Sequence, residues 1–141
     1  MDQLRLTSPI FISLVAKIRE QVVGHILFTP VRIDQADRHA IEGLRLAPLA
    51  IHPEHPGKGI GSALCRSGLN KIERTGYPFV VVLGHPRYYP RFGFEPAHHH
   101  RITCIYEDVP REAFMIQILN ETILSGVSGA AYYRQEFDAV T

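Results

Sequence analysis

His52-Pro53-Glu54-His55-Pro56-Gly57-Lys58-Gly59-Ile60-Gly61-Ser62 joins an apolar run to an amphipathic one, and its reading decides the fold. Glycines at every second position, Gly57, Gly59 and Gly61, let backbone N–H groups crowd together without Cβ interference. The helix expected to begin here adds its unpaired first-turn N–H groups and the positive end of its dipole. Such a loop suits a phosphate, so a phosphorylated ligand is the first expectation.

Two familiar phosphate loops fail on spacing. A P-loop requires Gly-Lys-Ser/Thr after four variable residues, whereas Lys58 lies between glycines. The dinucleotide fingerprint fails because the spacing is Gly57-x-Gly59-x-Gly61 with Ala63 no late glycine, and because the run after Tyr77, where an acidic ribose ligand would be needed, is apolar. A nucleotide-binding module is therefore disfavoured.

Upstream of the loop, Phe11 to Ile18 and Val22 to Ile33 read as two strands of a hairpin turning at Glu20-Gln21. Asp34 to Glu42 is polar and reads as a loop, and Leu44 to Ile51 as a third strand. Pro48 cannot donate to a ladder, so it marks a bulge or a break in pairing. Downstream, Ile60, Leu64, Gly68 and Ile72 fall four apart with Ala63 and Leu69 beside them, the pattern of an amphipathic helix that Gly76 ends. Pro78 to Leu83 is a continuous apolar run and reads as a buried strand. Strand, helix and strand in this order imply a parallel crossover, with the glycine loop at its carboxyl-end turn where a ligand is expected. Arg101 to Tyr106 and Ala113 to Leu119 are further strand candidates, the latter also compatible with a helix, and the tail from Asn120 shows no clear period.

At 141 residues with a net charge of +1, the chain fits one domain and advertises neither nucleic-acid nor membrane binding. Two cysteines, Cys65 and Cys104, make neither a disulfide framework nor a zinc set, and a reducing cytoplasm is the simplest home. No signal-peptide pattern opens the chain, and no apolar run reaches membrane-spanning length.

Two blocks then resemble a known family. Leu46-Ala47-Pro48-Leu49-Ala50-Ile51-His52-Pro53, followed by Gly57-Lys58-Gly59-Ile60-Gly61-Ser62-Ala63-Leu64, is similar to the acyl-CoA pyrophosphate loop of the GNAT superfamily of N-acetyltransferases. Val81-Val82-Leu83-Gly84-His85-Pro86 and Tyr89-Pro90-Arg91-Phe92-Gly93-Phe94 resemble its Y-x-x-x-G-F segment. Gly24-His25-Ile26-Leu27-Phe28, Ala113-Phe114-Met115 and Ser125-Gly126-Val127-Ser128-Gly129 narrow the resemblance to a YhbS-like branch, and it runs from about Phe11 to Phe137.

The resemblance implies a single α/β domain over residues 1–141: a mixed twisted β-sheet with flanking helices, whose central parallel strands splay beside a bulge at Pro48. It implies acetyl-CoA as co-substrate, with Leu49, Ala50 and Ile51 along the pantetheine arm. Gly57, Lys58, Gly59, Ile60, Gly61 and Ser62 would then hold the pyrophosphate. Transfer to a primary amine by direct attack in a ternary complex follows, and no metal. Tyr89, four residues before Gly93, matches the position proposed to protonate the coenzyme A sulfur, with Tyr88 as the fallback. A phenol with a pKa of about 10 stays protonated at neutral pH, as that role needs.

No residue stands out as the base; His25, His52, Glu54 and His85 qualify by type alone. His98-His99-His100 reads as a solvated turn, because neighbours on a strand point to opposite faces and cannot grip one ion together. Both cysteines read as core. The chain departs from the family at Pro56, which has no N–H to offer where Gln or Arg is usual. It departs again in its short front, since only Met1 to Pro9 precedes the first strand. Those departures set a second reading beside the enzyme, a catalytically weak acyl-CoA-binding protein. The uncovered apolar face also suggests a homodimer.

Overall fold

The computed structural model describes residues 12–36, 38–54, 59–105 and 110–133. Its strands are β1 (Ile12–Ile18), β2 (Gln21–Gln35), β3 (Arg38–Ile51), β4 (Phe79–Leu83), β5 (Glu95–Pro96), β6 (Ile102–Cys104), β7 (Phe114–Ile118) and β8 (Gly129–Tyr133). The helices are α1 (Ile60–Glu73) and the single turn α2 (Glu121–Leu124). One mixed sheet runs in the order β5-β7-β4-β3-β2-β8-β6, and β1 pairs with the first half of β2.

The expected crossover is present. β3 and β4 are parallel neighbours with α1 between them in the chain, paired at Leu44–Val80, Arg45–Val81 and Leu46–Val82. β4 is buried on both faces, which explains its unbroken apolar run. Val80 and Val82 join Leu64, Cys65, Leu69 and Ile72 of α1 in one core cluster, while Phe79 and Val81 join Ile33, Ile116, Leu124 and Ala131 in a second. The sheet therefore has a helix face, covered by α1, and an opposite face, covered by α2 and the segments around it.

Three local expectations are corrected. Asp34 to Glu42 is not a loop: β2 continues to Gln35 and β3 starts at Arg38, paired Arg32–Glu42 and Gln35–Arg38. The ribbon is polar because local pairs hold it, with the Arg32 guanidinium 2.8 Å from Asp34 and the Gln35 side chain donating to the His39 carbonyl. The tail from Asn120 is also structured. Asn120 Oδ1 accepts from the Ile123 N–H and caps α2, and β8 follows to pair with β2 over Val31–Asp34. Ala113 to Leu119 resolves as strand β7; Tyr106 and Pro56 lie outside the described residues.

The β1–β2 turn falls one residue early, on Arg19-Glu20, at φ of 51° and 68°. A two-residue hairpin loop that follows the strand twist wants positive φ at both positions, and glycine-free residues reach it at a cost. Glu20→Gly is therefore expected to stabilise the fold by about 0.5–1 kcal/mol in urea unfolding. No gain in the unfolding midpoint would mean that the turn is not the strained element it looks like.

Candidate functional site

The site begins with a change of register. Ile26 pairs with Leu49 but Phe28 pairs with Leu46, so β3 carries one extra residue between Leu46 and Leu49, where Pro48 stands. Parallel pairing with β4 stops at Leu46. Beyond the bulge the His52 N–H donates to the Val23 carbonyl at 2.7 Å. Antiparallel backbone groups alternate in direction, so His52 and Ala50 turn to β2 while Leu49 and Ile51 aim their N–H and C=O groups at the edge that β4 has left. Ala50 thus touches this edge only as a methyl between two outward-facing backbones.

Over that edge stands the start of α1. Its cap is Gly59 in left-handed backbone at φ 73°, and no side chain caps the first turn. The N–H groups of Ile60, Gly61 and Ser62 therefore have no intrahelical acceptor, and no acidic side chain competes with an anion there. Gly57 and Lys58 lie outside the described residues.

The aromatic segment closes the cleft. Tyr88 Oη lies 3.5 Å from Ser62 Oγ, and a Cβ on Gly61 would sit 2.9 Å from that phenol oxygen and 3.7 Å from Leu49 Cδ2. Gly61 is glycine because a phenol occupies the space a side chain would take. The Tyr88 backbone carbonyl accepts from Arg91 Nε, and the Arg91 guanidinium lies over the Tyr88 ring at 4.7 Å. Tyr89 turns the other way. It is buried, edge-on to Tyr88 at 5.0 Å and to Phe94 at 5.9 Å, and its ring fills the Cβ space of Gly84 at the end of β4. Burial first, then the neighbouring Cys65 thiol and Tyr88 phenol, push the Tyr89 pKa up to about 12.

The base candidates separate here. His52 Nδ1 accepts from the Glu54 N–H at 3.1 Å and His85 Nδ1 from the Arg87 N–H at 3.3 Å, while His25 Nε2 lies 3.0 Å from Ser13 Oγ. Glu54 is exposed in the turn after β3. His98, His99 and His100 form a short 3₁₀ turn at the far end of β7, and no three His, Cys, Asp or Glu groups among the described residues converge to hold a metal. One feature escaped the sequence: Arg45, opposite Thr29, is only 4% exposed. A single arginine between leucines reads as surface charge, and only the second cover on the opposite face buries it.

Comparison with known proteins agrees with this geometry. The acetyltransferase (GNAT) domain model matches residues 9–96. The chain belongs to the GNAT acetyltransferase family, whose members are acyl-CoA-dependent enzymes. It is 36% identical over 118 residues to the uncharacterized N-acetyltransferase YhbS of Escherichia coli K12, covering 84% of this chain and 68% of that protein. It is 44% identical over 89 residues to the uncharacterized N-acetyltransferase YjhQ of the same strain, 60% of this chain and 46% of that one. The crystal structure of Escherichia coli YhbS in complex with CoA superposes with a TM-score of 0.82 at 34% identity, over 97% of this chain and 74% of that one. A GNAT acetyltransferase from Brucella melitensis in complex with acetyl-CoA gives 0.69 at 31% identity, over 97% and 75%. The mixed sheet with flanking helices is thus the family's fold. No helix among the described residues is long and apolar enough to cross a membrane.

Burial governs the site's titration. Cys65 is fully buried, and burial raises its thiol to about 11 against a smaller lowering by Arg66. Both Cys65 and Tyr89 have folded pKa values above their unfolded ones, so their stabilising share is complete below pH 9 and pH 10 and is lost as pH rises to about 11 and 12. Stability should therefore fall above pH 9, and a thiol reagent at pH 8 should modify Cys65 only on unfolding. Rapid labelling of Cys65 in the native protein would contradict this burial.

Proposed function

We propose that this chain transfers an acetyl group from acetyl-CoA to a primary amine by direct attack in a ternary complex. What carries the reading is the meeting, at one point of the sheet, of an unpaired β3 edge at Leu49 and Ile51 with the uncapped first turn of α1. A strand edge offers donors and acceptors in alternation, which suits the two amides of a pantetheine arm. The free N–H groups of Ile60 to Ser62 suit the pyrophosphate, and Gly57, Lys58 and Gly59 complete that loop.

The coenzyme supplies an acetyl group already activated as a thioester. The residues of the chain then divide the work. A β3 N–H at the splayed edge donates to the developing oxyanion. Tyr89 protonates the departing sulfur. What supports this choice is its position in the motif and its place beside Tyr88, at a ring separation of 5.0 Å, with Cys65 of α1 as a second neighbour. A phenol held near 12 keeps its proton at neutral pH until a thiolate needs it. Tyr88 acts at the pyrophosphate end through Ser62 and Gly61. Direct attack is favoured over a covalent carrier because Cys65, the thiol beside the cleft, is buried and held protonated. Residues 1–141 act in this reading as one domain in the cytoplasm. The exposed Val15 and Val22 on the β1–β2 hairpin offer a face to a second copy.

Calorimetric titration with acetyl-CoA, with ATP and NAD as controls, tests the reading. Selective binding of acetyl-CoA is expected, and its absence in folded protein would leave no enzyme to explain. Tyr89→Phe should lower turnover about a hundredfold while moving acetyl-CoA affinity less than about twofold. Gly61→Ala, whose new Cβ would press on the Tyr88 oxygen at 2.9 Å, should do the reverse and weaken binding first.

A further inference from the structure

We infer that His25 is the general base of the reaction and that Ser13 is the residue that positions it; the inference rests on the acetyltransfer reading above. The argument starts with tautomers. A neutral imidazole has one N–H donor and one acceptor nitrogen. His52 and His85 each spend the acceptor nitrogen, Nδ1, on a backbone N–H two residues ahead. Their remaining nitrogen, Nε2, therefore carries the proton and can donate but not accept. Two of the three histidines near the cleft are disqualified as bases by their own turns.

His25 is arranged the other way round. Its Nε2 is the nitrogen engaged, by Ser13 Oγ across the β1–β2 pair at 3.0 Å. A serine hydroxyl can donate to that nitrogen or accept from it; with Ser13 as the acceptor, the proton stays on Nε2 and the lone pair of Nδ1 is left for substrate.

Position agrees with this role. Ile26 packs into the helix-face cluster, so its neighbour His25 points to the opposite face. There it lies directly across from Ala50, between the two β3 residues whose backbones face the splayed edge. Ala50 is exposed and ends in a methyl, and the imidazole across from it is half-buried, with its Nε2 turned to β1 and its Nδ1 left for the β3 side. The helix face of the cleft is taken up by α1, Leu49, Ile51 and Tyr88, which leaves the opposite face to the amine. The charged and titratable groups on the flanking strands are Lys17 on β1 and, on β3, Arg38, His39, Glu42 and Arg45 before the bulge, with His52 just past its end and Glu54 in the turn beyond.

An alkylamine reaches neutral pH mostly as its ammonium ion. It gives one proton to His25 Nδ1. The freed lone pair forms the N–C bond to the acetyl carbonyl carbon, and the C–S bond breaks with its electron pair leaving on sulfur. Tyr89 protonates that sulfur and recovers its proton from the newly acylated nitrogen. His25 releases its proton to water, so one proton is produced for each amide formed.

Two measurements test this in the full chain. Nitrogen-detected NMR of the imidazoles in the coenzyme-free protein should show His25 as the Nε2–H tautomer, with Ser13→Ala mixing the tautomers; an Nδ1–H form in the unsubstituted protein would overturn the assignment. Thiol release from acetyl-CoA is then followed with n-butylamine, which must lose a proton, and hydroxylamine, which is already neutral at pH 7. His25→Gln should cost about a hundredfold with n-butylamine and less than about threefold with hydroxylamine. Calorimetric affinity for acetyl-CoA should be unchanged. Equal losses with both amines, or none, would overturn the base role. Wild-type protein that releases thiol with neither amine would instead overturn the acetyltransfer reading on which the inference stands.

Discussion

The structure turns on the place where β3 leaves β4. Their parallel pairing lasts for three residues, ending at Leu46 and Val82, yet β3 runs on to Ile51. A strand edge inside a protein must find partners for its backbone groups, or bear the cost of leaving them bare. Water or a ligand in a cleft can satisfy them, and a cleft at the carboxyl ends of parallel strands is where an α/β sheet has room for one. Most other features near this point, from the uncapped helix to the tyrosine over Gly84, shape the space that the parting creates.

The bulge between Leu46 and Leu49 does more than bend the strand. Side chains alternate along a strand, so inserting one residue reverses which face each later side chain meets. Leu44 and Leu46 pack on the helix face before the bulge, and Leu49 and Ile51 pack there after it. Unbroken alternation over the three steps from Leu46 would point Leu49 and Ile51 to the opposite face and Ala50 toward the helix, and the bulge absorbs the extra residue. The shift keeps apolar cover under α1 on both sides of the break and leaves the small side chain of Ala50 exposed on the opposite face. A proline suits such a position because the ladder there has already been interrupted.

Much of this was legible in the chain. The period-four apolar residues of α1, the unbroken run of β4 and the proline before the glycine loop each have a local physical cause, and local causes leave local signals. The polar β2–β3 ribbon had no such signal. Its strands are held by register and by pairs such as Arg32–Asp34, and a residue read by hydropathy alone looks like loop there. β8 was hidden for a related reason: five small and aromatic residues become a strand only because β2 offers an edge at Val31–Asp34. Arg45 was the hardest, since its burial depends on distant segments covering the opposite face.

The two adjacent tyrosines show why the roles of site residues depend on backbone as much as on identity. Tyr88 precedes a 3₁₀ turn that Tyr89 begins, and successive residues in such a turn diverge by about a third of a revolution. One phenol is thereby sent to the half-buried first turn of α1 and the other into the core beside Cys65. Both have the same chemistry in water, and burial holds Tyr89 far from ionising. In the proposed reaction the buried phenol serves as the acid and the other faces the pyrophosphate, so the backbone turn rather than the residue type divides the two roles.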